Sequence, residues 1–221
     1  MAAKPKPVLV LIETGKRTTF AAALDWPGWA RSAKDPDLAL EQLGQYASRY
    51  REAVDEAGIP WPARLGSDFE VAETVPGSGT TDFGIPGATA ELDSRRLTAK
   101  EAARQAALVE GAWRVFDRVS AGAPAELRKG PRGGGRDRDK MIAHVIESEQ
   151  GYSRLLGIKH PPFKPDDEEG LEALRADILE VLRRPSDGSR LAPKGWMPRY
   201  AARRIAWHAL DHAWEMQDRS E

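Results

Sequence analysis

Residues 204–215 read RIAWHALDHAWE and place His208 four positions before His212. Residues four apart lie on one face of a helix, so the two imidazoles can bind one metal ion. His144 lies about 60 positions upstream in another helix-like segment, and an antiparallel helix would return it to the same core. The chain has only four histidines. The spacing therefore predicts a metal site formed by His144, His208 and His212.

The charged residues Arg204, Glu147 and Glu215 each lie one helical turn from one of these histidines. In a metal-dependent enzyme, Glu147 or Glu215 would be the catalytic proton acceptor, and Arg204 would bind an anionic substrate. The alternative is structural. In that case the histidines line the helical core and are hydrogen-bonded to nearby carboxylates, and Glu147 is simply solvated.

The composition excludes several classes of site and partner. The 221 residues include no cysteine, which rules out disulfides, thiolate zinc sites and a cysteine nucleophile. Acidic and basic residues nearly cancel to a formal net charge of -1, so no nucleic-acid partner is expected. We also expect a cytoplasmic protein without a membrane partner, because no apolar run approaches the roughly 20 residues that span a bilayer.

The first 76 residues are predicted to form a small α+β domain with the element order ββαβ. Residues 8–13 and 18–24 are apolar and β-rich around a Thr-Gly-Lys turn, which is typical of a β-hairpin. Asp35 can cap a helix that has Pro36 in its first turn, and Gly58 suits the end of that helix. Residues 69–75 would then add a third strand.

The rest of the chain is predicted to be a linker followed by an all-α domain. Residues 77–94 are rich in Gly, Ser, Thr and Pro, which is typical of a linker. Residues 95–221 contain four amphipathic segments, the first opened by a Thr98–Glu101 capping box. The second starts at Asp137 or Asp139, the third within residues 166–169, and the fourth near Pro198. We therefore predict an α+β chain that ends in a four-helix bundle.

Two further patterns leave alternatives open. Trp207 and Trp214 are seven positions apart, which indicates either core packing or the seam of a homodimer. Residues 129–136 are Gly-rich and basic, which suits either a flexible loop or an anion contact. They are not a P-loop, since no Gly-Lys-Ser/Thr follows the glycines.

One histidine in a second helix and His-x-x-x-His in a last helix resemble the DinB-like (YfiT-like) superfamily of metal-binding four-helix bundles. The resemblance covers roughly residues 95–221 and assigns His144, His208 and His212 as the metal ligands. It implies a divalent ion, most often zinc or nickel. It also implies reactions of the thiol S-transferase or isomerase type, in which a low-molecular-weight thiol is the co-substrate.

The sequence FAAALDWPGWARS at residues 20–32, followed by LALEQL at residues 38–43, resembles the HicB-like antitoxin domain. The chain departs from antitoxins because no DNA-binding tail is evident. The resemblance therefore implies a HicB-like fold at residues 1–76 that serves oligomerisation or ligand binding.

Together these features predict a metal-dependent enzyme that acts on a small-molecule substrate. The alternative is a non-catalytic binding or regulatory protein, in which the metal stabilises the helices and the HicB-like module binds a partner.

Overall fold

The computed structural model describes residues 6–62, 68–130 and 134–220 and shows a mixed α+β chain. Its N-terminal part contains one four-stranded sheet in the order β3-β2-β1-β4. Strands β1 and β2 pair antiparallel, as do β2 and β3, whereas β1 and β4 pair in parallel. The strands are β1 (Val8–Thr14), β2 (Thr19–Ala23), β3 (Ala30–Ala33) and β4 (Phe69–Pro76).

The predicted β-hairpin is confirmed, but the sheet has one strand more than predicted. The extra strand, β3, has the sequence ARSA, which carries no β-rich pattern of its own. It forms because the turn at residues 26–29 returns the chain alongside β2. Gly28 has a positive φ of 95° in this turn, a conformation that glycine adopts without steric cost.

The predicted helix after Asp35 is present as two consecutive helices, α1 (Pro36–Gln45) and α2 (Ala47–Glu56). Asp35 caps α1 as expected, since its side chain accepts a hydrogen bond from the backbone N–H of Leu38. Between the two helices, Tyr46 departs from helical geometry with a ψ of 1°. Its ring packs against Trp214 with centroids 5.1 Å apart.

The segment predicted as a linker is folded and packed against its surroundings. It contains a short helix, α3 (Gly79–Asp82), and a 3₁₀ turn at Glu91–Ser94. Thr81 and Asp93 within it are fully buried. The Thr81 hydroxyl donates to the Glu13 carboxylate of β1, and Asp93 forms an ion pair with Arg203. The division into domains at residues 76 and 95 stays a prediction.

The C-terminal part contains four long helices: α4 (Ala99–Gly122), α5 (Arg138–Leu155), α6 (Glu168–Leu182) and α7 (Pro198–Ser220). Helix α4 contacts α6 and α7, and α5 contacts the same two helices. The predicted capping box of Thr98 and Glu101 opens α4. The amphipathic stripes of these helices meet in a common core.

The sheet, α2 and the four long helices contribute to one buried apolar cluster. Helices α2 and α4 approach closely at Gly111, where a Cβ atom would lie 2.3 Å from the carbonyl oxygen of Ala53. The turn at Gly28 packs against α7 in a similarly close contact. A Cβ at Gly28 would lie 2.7 Å from Leu210 Cδ1 and 3.1 Å from Ala206 Cβ. Helix α7 is thus packed against both the sheet and the other long helices.

None of the helices in the described ranges has both the length and the apolar composition required to cross a bilayer.

Candidate metal centre

Three histidines from two helices converge between α5 and α7. Their candidate ligand atoms all lie within 4.8 Å of one another, and the Nε2 atoms of His144 and His208 are 3.3 Å apart. His208 is buried, with 6% of its surface exposed, whereas His144 is partly buried. In the described part of the chain, this is the one group of three or more histidine or carboxylate side chains whose ligand atoms meet so closely. The group could hold a metal ion.

The donor set and its spacing fit a divalent ion. Two nitrogen ligands at about 2.0–2.1 Å from a tetrahedral ion lie about 3.3 Å from each other, which matches the separation of the two Nε2 atoms. Imidazole suits zinc and nickel alike. Three nitrogen ligands would leave a coordination position for another molecule.

The environment keeps two of the imidazoles neutral, which is the form that binds metals. Burial lowers the pKa of His144 to about 4, and the nearby Arg136 and His212 side chains lower it further, whereas Glu215 raises it. Burial lowers the pKa of His208 well below its ordinary value, and His212 and Arg204 contribute further. Both shifts favour the neutral ring.

Glu215 orients one of the histidines. Its Oε2 atom lies 3.0 Å from Nδ1 of His212, and its Oε1 atom accepts a hydrogen bond of 2.7 Å from Arg219. A carboxylate at Nδ1 leaves Nε2 of the same ring for a metal, an arrangement common around metal-binding histidines. The predicted role of Glu215 in proton transfer stays a prediction.

The structure does not bring Glu147 to the histidines. Its side chain is exposed and, among the described residues, it makes no hydrogen bond or ion pair with any of the three. Asp211, a carboxylate three positions after His208, accepts a hydrogen bond of 3.0 Å from Arg31 on β3. A catalytic role for Glu147 stays a prediction without geometric support.

Arg204 lies one turn before His208, as predicted, and is held between aromatic rings. Its guanidinium carbon is 4.7 Å from the ring centroid of Trp207 and 5.5 Å from that of Tyr152. The Tyr152 ring is 5.7 Å from the His208 ring. The substrate-binding role assigned to Arg204 is untested by these contacts, but they place its charge beside the histidines.

One residue near the cluster was missed from the sequence. Tyr152 follows His144 by eight positions, about two helical turns, so the same periodicity that groups the histidines could have found it. Arg136 belongs to the basic segment at residues 129–136 that the sequence marks as a flexible loop or an anion contact, and it precedes α5. Within the Gly-rich segment that contains it, residues 131–133 lie outside the described residues, and the expected anion contact there stays a prediction.

No protein-family model matches this chain, and no curated protein or solved structure matches it either. The resemblances to DinB-like and HicB-like proteins therefore stay predictions, and the functional argument rests on the geometry of the histidines.

Proposed function

We propose that the protein binds one divalent metal ion through His144, His208 and His212 and is a metal-dependent enzyme. The observation that carries this proposal is the convergence of the three imidazoles between α5 and α7. The competing interpretation is a cluster held by hydrogen bonds alone. Metal content distinguishes the two interpretations, because the buried Nδ1 of His208 has no hydrogen-bond partner among the described residues in either case.

A divalent ion at this site would supply Lewis acidity, which lowers the pKa of a thiol or a water molecule so that a nucleophile exists near pH 7. The chain's own residues would orient the metal ligands and exclude bulk water. Glu215 fixes the orientation of the His212 ring, and the buried surroundings of His208 keep bulk water away from it.

We further propose the DinB-like class of reaction, a thiol S-transferase or isomerase that uses a low-molecular-weight thiol. The arrangement of one histidine on α5 and two on α7 supports this class. An external thiol would also supply a sulfur nucleophile that a chain without cysteine lacks. Zinc and nickel are the proposed ions, and Arg204 is the proposed anchor for an anionic substrate.

Metal content of the full chain, purified without an affinity tag, tests the metal site. Elemental analysis should find close to one divalent ion per chain. Separate replacement of His144, His208 and His212 by Ala should each remove most of it. The matched control is His160→Ala, because His160 pairs with Asp177 away from the cluster and should not affect metal content. Full metal retention by all three variants would contradict the site.

Activity is tested on the metal-loaded protein with an activated electrophile and a panel of low-molecular-weight thiols. We expect thiol conjugation that the His208→Ala variant loses. Metal-loaded protein that is inert with every thiol would favour the alternative of a non-catalytic binding or regulatory protein.

A further inference from the structure

The carboxylate of Glu215 has one hydrogen-bond partner at each oxygen among the described residues. Oε2 lies 3.0 Å from Nδ1 of His212, and Oε1 accepts a hydrogen bond of 2.7 Å from Arg219. The Glu215 side chain is 35% exposed, so burial alone does not fix its position. Arg219 is only 12% exposed and holds the oxygen that does not face the histidine. The orientation of the His212 ring by Glu215 therefore depends on Arg219.

Arg219 is in turn held by the basic segment that precedes α5. We call residues 127–130 and 135–137 the docked segment. Nε of Arg219 donates a hydrogen bond of 2.7 Å to the carbonyl oxygen of Arg128, while Nη1 of the same group donates to Glu215. The planar guanidinium presents its N–H groups in fixed directions, so the bond to Arg128 helps to aim the bond to Glu215.

The docked segment also supplies partners for the end of α7. The last four carbonyl groups of a helix have no partner within the helix. The backbone N–H of Arg128 donates to the carbonyl oxygen of Arg219 at 2.9 Å, and its Nη2 atom donates to that of Asp218 at 2.7 Å. Asp137, which directly precedes α5, accepts a hydrogen bond of 3.2 Å from the N–H of Leu127. The docked segment is thus fixed at α7 and at the start of α5.

Gly135 packs directly against the guanidinium of Arg219. A Cβ atom at position 135 would lie 2.7 Å from the guanidinium carbon, and the φ of Gly135 is 114°, a conformation that other residues rarely adopt. At the neighbouring Gly134, an added Cβ would meet no atom of the described residues within 4 Å. A side chain at position 135 would therefore displace Arg219 or the docked segment, whereas one at position 134 would not.

We propose that Arg219 is a positioning residue of the metal centre and that it couples the docked segment to metal binding. The contacts run from the docked segment to Arg219, from Arg219 to Glu215, and from Glu215 to His212. The effect on metal affinity rests on the proposed function, whereas the orientation of His212 through Arg219 does not. A change at Gly135, which is not a ligand, should therefore alter the metal affinity.

Competition between the full-length, zinc-loaded protein and a chromophoric chelator measures this coupling. Arg219→Met should weaken the zinc affinity by about tenfold, the lower end of the loss expected when a partner of a metal-binding histidine is removed. Arg219→Lys keeps the charge that faces Glu215 and should restore part of that loss. Gly135→Ala should weaken the affinity by about threefold to tenfold, and the matched control Gly134→Ala should leave it unchanged.

A double-mutant cycle shows whether these effects pass through Glu215. In the Glu215→Ala background, Arg219→Met and Gly135→Ala should each change the zinc affinity by less than about twofold, because the carboxylate through which they act is gone. Gly135→Ala could instead move its neighbour Arg136, whose charge acts on His144, and that effect would persist in the Glu215→Ala background. Full effects in this background would contradict the proposed route.

The tautomer of His212 gives a readout that needs no metal. Long-range ¹H–¹⁵N NMR spectra report which ring nitrogen carries the proton, and a carboxylate beside Nδ1 favours a proton there. The signals of His212 are the ones missing from His212→Ala. In the metal-free protein, Arg219→Met and Gly135→Ala should shift these signals, and Gly134→Ala should not.

Two results would overturn the inference: an unchanged zinc affinity in both Arg219→Met and Gly135→Ala, or equal effects of Gly135→Ala and Gly134→Ala. If Arg219→Met does not fold, Arg219→Lys and Gly135→Ala decide. A parent protein that binds no metal, but whose His212 signals respond as expected, contradicts the proposed function alone. A parent protein that binds zinc with an affinity that neither variant alters contradicts the coupling alone.

Discussion

Two groups of polar side chains lie among the four long helices, each with one buried member, Glu149 in the first and His208 in the second, and they differ in the partners that their members have. In the first, Arg175 of α6 meets Glu149 of α5 at 3.0 Å and Asp117 of α4 at 2.8 Å. In the second, three imidazoles converge, with the Glu215 carboxylate 3.0 Å from Nδ1 of His212, and His208 Nδ1 has no partner among the described residues. Burial alone thus does not separate a structural group from a functional one.

The two groups differ in whether every side chain has a partner within the protein. The cluster of Arg175, Glu149 and Asp117, the arginine cluster, contains its own donors and acceptors, so each of its charged groups has a partner within the protein. In the histidine cluster, the Nε2 atoms of His144 and His208 lie within hydrogen-bond distance of each other at 3.3 Å, and a cation would be held by all three rings. Substitution in the arginine cluster should therefore lower the free energy of unfolding and leave metal binding unchanged. Substitution in the histidine cluster should abolish metal binding without lowering the free energy of unfolding of the metal-free protein.

The largest expected effect is a loss of folding stability when the arginine cluster is disrupted. Arg175→Met leaves the Glu149 carboxyl, which is 2% exposed, without its positive partner. We expect the free energy of unfolding to fall by roughly 3–5 kcal/mol. Urea denaturation of the metal-free protein measures the change, and metal content should stay the same. A loss below about 1 kcal/mol would remove the contrast between the two clusters.

The next effect is metal-dependent stabilisation at the histidine cluster. Zinc at 100 times its dissociation constant should raise the free energy of unfolding of the parent protein by about 2.7 kcal/mol. His208→Leu should show no such increase. Without metal, this variant should be at least as stable as the parent, because it removes a buried nitrogen that has no partner. A destabilised metal-free variant would instead indicate that His208 is a structural residue.

A smaller effect is expected at the carboxylate that orients His212. Glu215→Gln should weaken metal affinity by about 10-fold to 100-fold, since it removes the charge that faces Nδ1 of the ring. Competition with a chromophoric chelator measures the affinity. Unchanged affinity would mean that Glu215 serves only its ion pair with Arg219.

The smallest effect is expected at Glu147, which is the matched control for Glu215 on the other helix. Glu147→Gln should change metal affinity by less than about twofold, because an exposed carboxylate is screened by solvent. The same chelator competition applies. A loss as large as that of Glu215→Gln would restore Glu147 as a member of the centre.

Local signals explain what could be predicted from the sequence. Asp35 and the Thr98–Glu101 pair cap helices within three or four residues of themselves, so the two helix starts were predicted correctly. The two α7 histidines share a face through the same short-range geometry. His144 required one further assumption, an antiparallel return of α5, and the contacts between α5 and α7 agree with it.

Long-range pairing explains what was missed. Strand β3 exists because β2 pairs with it, and the ARSA sequence alone predicts nothing. Asp93 and Arg203 are 110 positions apart, and no local pattern marks Asp93 as the partner of an arginine on α7. The same reason applies to Arg204, whose buried Nη1 atom has no hydrogen-bond partner among the described residues. No local pattern in the sequence shows that a distant partner is lacking.

The contact between Gly28 and α7 has an evolutionary consequence. Because a side chain at position 28 would collide with Ala206 and Leu210, which flank the His208 position on the helix, these three positions cannot change independently. In homologous sequences we expect them to covary. A larger residue at position 206 should occur only together with a rebuilt turn at residues 26–29. The N-terminal part would then be inherited with α7 as one evolutionary unit and would not be exchanged as a separate module.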